Sequence, residues 1–458
     1  MKVIVCGAGQ VGYAIARHLA GERNDVIVID QSPQLVQRVN ETLDVQGMAG
    51  FASHPDVLER AGAADADMLI AVTYADEVNM IACQVAHSLF KVPTKIARVR
   101  AQSYLDPVWR DLFSREHLPI DVIISPEIEV ATAVLRRLHV PGAFDTVPFA
   151  DGRVQVIGTQ LGDECPVVDT PLKQLTELFP DLNIVVVGVV RGDRMLVPVG
   201  DDQLLVGDEI FFIADTGHVP RAMSLFGHEE QEARRVIIIG GGNIGLFLAN
   251  LIEKEGTGVR TKIIELDPAR AALVAERLEK TVVINGDALD RDILVEANVQ
   301  NTETVVAVTD DDEVNILASL LAKRHGTKRA ITLINNTGYA PLIASLGIDV
   351  ALNPRASTVS SILQYVRRGR IKGVYSLRDG MAEVIEAEAL ETSSLVGTPL
   401  REARMPVGVI VGAVVRDSEI IIPRGDTVIE VGDRVIMFAL ADAVRQVEKM
   451  FSVRLDFF

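Results

Sequence analysis

At 458 residues and 48% hydrophobic composition, the chain can fill several cores and is long enough for about three domains. A formal net charge of −18 with no basic stripe excludes nucleic acid and anionic lipid as general partners, because both repel an anion. Three widely spaced cysteines, Cys6, Cys83 and Cys165, each sit in an apolar run, which describes buried thiols in a reducing compartment and excludes a disulfide framework.

Met1 and Lys2 lead straight into the strand "KVIVC", leaving no room for a secretory leader, so a cytoplasmic location is expected. The strand runs into Gly7, Gly9 and Gly12 and then into a helical pattern containing Ala16. Gly7 permits a tight turn, Gly9 lets backbone approach a phosphate, and Gly12 with Ala16 lets the helix sit close to the sheet. The helix N-terminus offers free amides to an anion. The next strand, "VIVID", ends on Asp30, 18 residues after Gly12, where a carboxylate accepts from ribose hydroxyls. A strand ending in "AVT" follows, and then a helix opened by Asp76 and Glu77, acids that complement a helix dipole. The segment "KIARVR" predicts a fifth strand with Arg98 and Arg100 at its carboxyl end, where a doubly wound sheet meets its ligand and a guanidinium clamps phosphate.

From "HVPGAF" at 139–144 the pattern changes to short β-rich stretches punctuated by Gly-Asp pairs, consistent with a small α+β domain that packs against something. The polar "FGHEEQEARR" at 226–235 reads as a linker. Everything then repeats. "RRVIIIGGGNIG" carries Gly240, Gly242 and Gly245 with Ala249 beyond, and "TKIIELD" places Glu265 20 residues after the third glycine. "AVTDDDEVN" matches "AVTYADEVN", with Asp310 to Glu313 again opening a helix, and "TPLREA" matches "TPLKQL". "RAITLIN" aligns with the fifth strand but puts Leu333 and Asn335 in the places of the two arginines, so the first half is expected to favour the more highly charged ligand, ATP over ADP. The fold class is therefore α/β, with two doubly wound Rossmann-like parallel-sheet domains, each followed by a small α+β domain. The expected boundaries are 1–142, 143–226, 234–370 and 371–458. Paired arginines, Arg136 with Arg137 and Arg367 with Arg368, fall at the two junctions, complement helix C-termini there, and mark natural hinges.

No HxH or HExxH spacing, nucleophile elbow or Lys-Tyr pair occurs, so an enzyme would have to hide its catalytic group. The longest apolar runs, "IVVVGVV" and "VIVGAVV", are strand-sized and well short of the roughly 20 residues of a membrane helix.

The blocks "GAGQVG", "VIVID", "AVTYADEVNM" and "IARVR" resemble the KTN (RCK N-terminal) domain that regulates potassium channels and transporters, and the β-rich blocks resemble its RCK C companion. The resemblance covers essentially all 458 residues. It implies a cytosolic, non-catalytic gating-ring subunit of a Trk-type potassium uptake system, with NAD(H) and ATP or ADP as regulatory ligands. Its implied partner is a membrane-embedded potassium subunit of TrkH or TrkG type on the inner face of the plasma membrane, and its implied assembly is a ring of four chains. Carried onto this sequence, the nucleotide positions in the first half are Gly7, Ala8, Gly9, Gln10, Val11, Gly12, Asp30, Gln31, Phe51, Ala52, Thr73, Arg98 and Arg100. In the second half they are Gly240, Gly242, Asn243, Ile244, Gly245, Glu265, Asp287, Ala288 and Thr309. Phe51 stands where the second half has Asp287, so the adenine end is expected to be held differently in the two halves. The residues themselves leave a second reading open, an NAD(P)-dependent oxidoreductase with duplicated dinucleotide-binding domains; the absence of a substrate domain between the two fingerprints counts against it.

Overall fold

The computed structural model describes residues 1–21, 24–179, 182–366, 371–417 and 419–451. They form two compact units, Met1–Val130 with Asn353–Val366, and Ala131–Leu352 with Arg367–Phe458.

The first unit is built on a parallel sheet of six strands: β1 (Lys2–Cys6), β2 (Asp25–Asp30), β3 (Gln46–Ala49), β4 (Met68–Ala71), β5 (Thr94–Arg98) and β6 (Val122–Ile124). Their spatial order is β3-β2-β1-β4-β5-β6, which places the reversal of strand order beside β1. Residues 3–6 of β1 are all buried because a parallel sheet is covered on both faces, and this is why "KVIVC" shows no alternation. The helices α1 (Gln10–Gly21), α2 (Pro33–Thr42), α3 (Pro55–Arg60), α4 (Asp76–Phe90), α5 (Gln102–Leu105) and α6 (Pro126–His139) connect these strands and lead out of the sheet. Cys6 and Cys83 are buried in the core between the sheet and α4, and burial pushes the Cys83 thiol up to about 12.

The second unit contains the repeated parallel sheet, β12 (Arg235–Ile239), β13 (Arg260–Glu265), β14 (Val282–Asn285), β15 (Thr304–Ala307), β16 (Arg329–Leu333) and β17 (Val350–Leu352), in the order β14-β13-β12-β15-β16-β17. Its helices are α9 (Asn243–Glu255), α10 (Pro268–Arg277), α11 (Arg291–Glu296), α12 (Asp312–Arg324) and α13 (Ala340–Leu346). The following helix, α14 (Pro354–Val366), is not packed on this sheet. Its Ile362, Leu363 and Val366 are buried among Val3, Ile15 and Val26 of the first unit, and the Ser361 hydroxyl donates to Glu129 at 2.7 Å. α6 does the reverse: its last turns belong to the second unit, where His139 meets Glu255 of α9 at 2.9 Å and the Arg137 carbonyl accepts from Arg329 of β16 at 2.7 Å. The boundary read at 370 keeps α14 with the second half in chain order, whereas its buried apolar residues pack against α1 and β6 of the first unit.

Two antiparallel sheets complete the second unit. One has β7 (Ala143–Phe149), β8 (Val154–Gln160), β9 (Ile184–Arg191), β10 (Arg194–Leu196) and β11 (Glu209–Asp215), with helices α7 (Leu172–Leu178) and α8 (Val219–Leu225). The other has β18 (Ile371–Leu377), β19 (Ala382–Glu388), β20 (Val409–Arg416), β21 (Glu419–Ile421) and β22 (Arg434–Leu440), with helix α15 (Val444–Met450). In β11, Ile210, Phe212 and Ala214 face the sheet's own helices, while Phe211 and Ile213 pack into a core shared with Ile436 and Phe438 of β22. Each small domain therefore packs against the other, and two-sided burial explains why "EIFFIA" reads as a continuous apolar run. The Gly-Asp pairs also acquire a reason: Gly207 and Gly432 take the left-handed conformation (φ 85° and 91°) and turn Asp208 and Asp433 inward. Arg191 grips Asp208 through Nε and Nη2 at 2.8 and 2.7 Å, and Arg416 grips Asp433 at 2.9 and 2.8 Å.

A polar cluster joins the second parallel sheet to both small domains. Arg329 donates to the carbonyls of Arg137 and Ala143 at 2.7 and 2.6 Å, and desolvation lowers its pKa to about 10. Arg137 donates to the Phe144 carbonyl at 2.7 Å, to the Ala133 carbonyl within α6 at 2.9 Å, and to Asp145 at 2.6 Å. Tyr375 of β18 donates to the same Asp145 at 3.2 Å, and burial followed by the nearby carboxylate raises its hydroxyl above the ordinary range. Arg137 thus does more than complement a helix terminus: the first junction, expected as a hinge that few elements bridge, is cross-tied. Arg367 and Arg368 lie outside the described residues.

Leu363→Ala should cost about 2–5 kcal/mol, the price of emptying a buried leucine site, and should weaken the first parallel sheet. Amide exchange reads this: protection should fall in β1 and β2, and unchanged protection there would show that α14 does not complete that core.

Candidate functional site

Each parallel sheet presents a glycine loop at the carboxyl end of its central strand. Gly7 has φ 109° and donates its amide to the Ile29 carbonyl at 2.7 Å, extending the parallel ladder of β1 and β2 past Cys6. At Gly12 the Gly7 carbonyl oxygen lies only 1.8 Å from where a Cβ would stand, so α1 approaches the strand as closely as backbone allows. Around Gly9 there is nothing within 4 Å of a Cβ position, and Gly9 and Gln10 are exposed. Asp30 arrives from β2 and accepts from the Ala8 amide at 2.6 Å and the Ser32 amide at 2.8 Å. The second loop repeats this partner for partner. Gly240 has φ 102°, a Cβ on Gly245 would sit 2.0 Å from the Gly240 oxygen, and Gly242 is open. Glu265 accepts from the Gly241 amide at 2.6 Å and the Asp267 amide at 2.8 Å. Each loop combines an open backbone surface, the amino end of a helix of at least 12 residues and a fixed carboxylate, the set that receives a phosphate beside a ribose.

The neighbouring threonines are held by a group that sequence reasoning overlooked. Thr73 donates both its amide and its hydroxyl to Oδ1 of the fully buried Asn79, at 2.8 and 2.7 Å, and Asn79 donates to the Arg98 carbonyl at 2.9 Å. Thr309, Asn315 and the Leu333 carbonyl form the same set at 2.9, 2.7 and 3.1 Å. The signal was the shared "DEVN", whose asparagine was given no role of its own. Those acids also do something else: Asp76 accepts from the amides of Arg100 and Ala101 at 2.8 and 2.7 Å, and Asp312 from those of Asn335 and Asn336 at 2.8 and 2.7 Å. They fix the loop after the fifth strand, while Asp311 caps its helix through the Val314 amide at 2.9 Å.

Arg98 reaches this site, donating from Nη2 to the Thr73 carbonyl at 2.7 Å, next to the turn at Gly7; burial lowers its pKa and Arg100 adds to the effect. Arg100 is directed instead to Glu127 at 3.4 Å and to the Tyr74 ring at 5.5 Å. In the second half Leu333 is buried and Asn335 is tied to Asp312. A cation nevertheless stands at that loop: Arg270 of α10 donates to the Gly241 carbonyl at 2.7 Å and to Asn243 Oδ1 at 3.3 Å, where the first half has Leu35. The positive charge has moved from one element to another, and the reading from the fifth strand alone missed it. Of the remaining positions, Val11, Ala52 and Ala288 are buried, Ile244 is half-buried, and Gln31 is exposed. Phe51 is exposed and stacks on His54 at 5.2 Å, while Asp287 accepts from the Leu289 amide at 2.8 Å, so the two halves present different groups after their third strands.

The TrkA-N domain family matches residues 3–126 and 236–354, and the TrkA-C domain family matches 160–227 and 384–452. The chain belongs to the TrkA family. It is 55% identical over 458 residues to the Trk system potassium uptake protein TrkA of Azorhizobium caulinodans, covering 100% of both chains. To the protein of the same name from Halomonas elongata it is 44% identical over 462 residues, again covering 100% of both. Among solved structures, the GsuK RCK domain superposes with TM-score 0.59 at 17% identity, covering 99% of this chain and 95% of that one. The GsuK channel bound to NAD does so with TM-score 0.59 at 17% identity, covering 99% of this chain and 79% of its own. At that identity the likeness shows the fold, over essentially the whole of this TrkA-family chain.

Gly12→Ala should destabilise the protein by about 3 kcal/mol or more, because the clash is with backbone that cannot swing aside. Gly9→Ala should change stability by less than about 1 kcal/mol. Chemical denaturation of the two variants separates them, and equal effects would contradict the loop geometry.

Proposed function

We propose that this chain is a cytosolic regulatory subunit of a Trk-type potassium uptake system that binds NAD(H) and adenine nucleotides at its two glycine loops and controls potassium flux through a membrane-embedded partner of TrkH or TrkG type. The observation that carries the reading is the pair of equivalent loops in one chain, each open at its second glycine and flanked by a fixed carboxylate. Full-length relatives named as potassium uptake proteins support the system, and the GsuK channel solved with NAD supports the ligand class. Among the described residues no helix is long and apolar enough to cross a membrane, which agrees with action through a partner.

A ligand shifts a conformational equilibrium only through unequal affinity for its states. Ribose hydroxyls that engage Asp30 or Glu265 share a carboxylate with the loop amides bound there, so occupancy and loop position are coupled. In the second unit the cluster around Arg329 carries a movement of the parallel sheet into both small domains, since Arg329 holds α6 and β7 while Asp145 ties Arg137 to Tyr375 of β18. We further propose assembly into a ring of four chains through the exposed apolar residues Ile81 and Leu89 of α4 and Leu317 of α12.

Asp30→Ala should weaken ribose-bearing ligands in the first half by about 1–3 kcal/mol, the loss of a charged acceptor, with Glu265→Ala acting likewise in the second. Calorimetric titration with ATP, ADP, NAD and NADH measures this, and unchanged affinity for all of them would refute the site. In liposomes holding a Trk-type membrane subunit, potassium flux should respond to these nucleotides only when this protein is present. No response, or hydride transfer to a small substrate, would reopen the oxidoreductase reading.

A further inference from the structure

The two glycine loops are bordered by their cations from opposite sides. In the second parallel sheet β12 lies between β13 and β15, and Glu265 at the end of β13 marks the side on which a ribose is held. Arg270, in the first turn of α10, arrives from that same side. Its Nε donates to the Gly241 carbonyl at 2.7 Å and its Nη2 to Asn243 Oδ1 at 3.3 Å, so the guanidinium lies along the loop and reaches the first residue of α9. Asp267 accepts from the Arg270 amide at 2.6 Å and caps α10, which leaves the guanidinium to others. Among the described residues no carboxylate pairs with that guanidinium: both of its partners are neutral oxygens, and Gly242 between them is open. A half-buried cation held by neutral acceptors keeps its charge uncompensated, here beside the free amides of a 13-residue helix.

The first loop is built the other way. Leu35 stands in the place of Arg270 and packs on the core of its sheet, and Arg38, one turn on, lies 4.7 Å over the Tyr13 ring. The cation of this loop is Arg98 on the Thr73 carbonyl, beyond β4 and away from Asp30. On that far side the second half has Leu333 and Asn335 for the two arginines, and the exposed Asp310 and Asp311 in the places of Tyr74 and Ala75. Arg355, in the place of Glu127, belongs to the first unit.

We infer that Arg270 makes the second loop a reader of the phosphate joined to the adenosine ribose, so that it takes adenosine monophosphate, or the adenylate half of a dinucleotide, and gains little from phosphates beyond the first. This rests on the reading of the loops as nucleotide sites and adds the chemical class that the second one takes. A ribose on Glu265 brings its 5′-phosphate to Gly242 and the α9 amides, the atoms that Arg270 already borders. Further phosphates extend toward β15, where Asp310 and Asp311 repel them.

Calorimetric titration of the full chain with adenosine, AMP, ADP, ATP and NAD tests this. One class of sites per chain should bind AMP about 10- to 100-fold more tightly than adenosine, the contribution of a charged clamp. In that class ADP, ATP and NAD should stay within a few-fold of AMP. Arg270→Gln should lose most of the preference for AMP over adenosine and keep the affinity for adenosine itself. Arg270→Lys, which retains the charge but cannot span Gly241 and Asn243, should lose part of that preference. An unchanged preference in Arg270→Gln, or an equal loss for adenosine and AMP, would show that Arg270 only props the loop. Affinity in that class that climbs about tenfold with each added phosphate would place its charge elsewhere and overturn the inference. Binding of none of the five ligands by the parent would instead remove the nucleotide reading itself, and this inference with it.

Discussion

Everything at the two crevices depends on the close approach of a helix to the strand before it, with the carbonyl of Gly7 or Gly240 lying where a side chain at residue 12 or 245 would begin. That contact holds the amino end of α1 and α9 over the sheet and leaves the second glycine of each loop open to a ligand. It also brings Ala8 and Gly241 within reach of a carboxylate from the next strand. A Cβ at the third glycine would lift the helix and scatter all three features together, because interiors at native density have no slack for a backbone clash.

The loops are alike while their surroundings are not. Arg98 serves the first from the fifth strand and Arg270 the second from the helix after the acid. Duplication fixed the cradle, because its geometry is set by backbone, and left the charges free to move, because a long guanidinium can reach one place from several elements. The same division holds at the small domains, where the sheets keep one architecture but β11 begins with Glu209 and the corresponding β22 with Arg434.

Ligand occupancy becomes useful only if a sheet is tied to something else. In the second unit that tie is compact: α6 ends on β16, Arg329 bonds two carbonyls across it, and Asp145 gathers Arg137 and Tyr375 from different elements. Charged groups held at this density resist independent movement, since separating any one leaves a desolvated partner unsatisfied.

The repeat, the two Rossmann-like sheets, the glycine loops and the acids Asp30 and Glu265 were readable from the chain alone, because each depends on residues within a few positions of one another or on a period that a fold class requires. Asn79 and Asn315 were readable in principle, as the last residue of a twice-written "DEVN", yet a polar residue within a helical pattern does not announce that it is buried. Arg270 was hidden because its role depends on the height of α10 above the loop. The crossing of α14 to the first sheet and the pairing of the small domains were beyond any local pattern: an apolar face specifies that it must be covered, and only the tertiary structure decides which of two similar surfaces covers it.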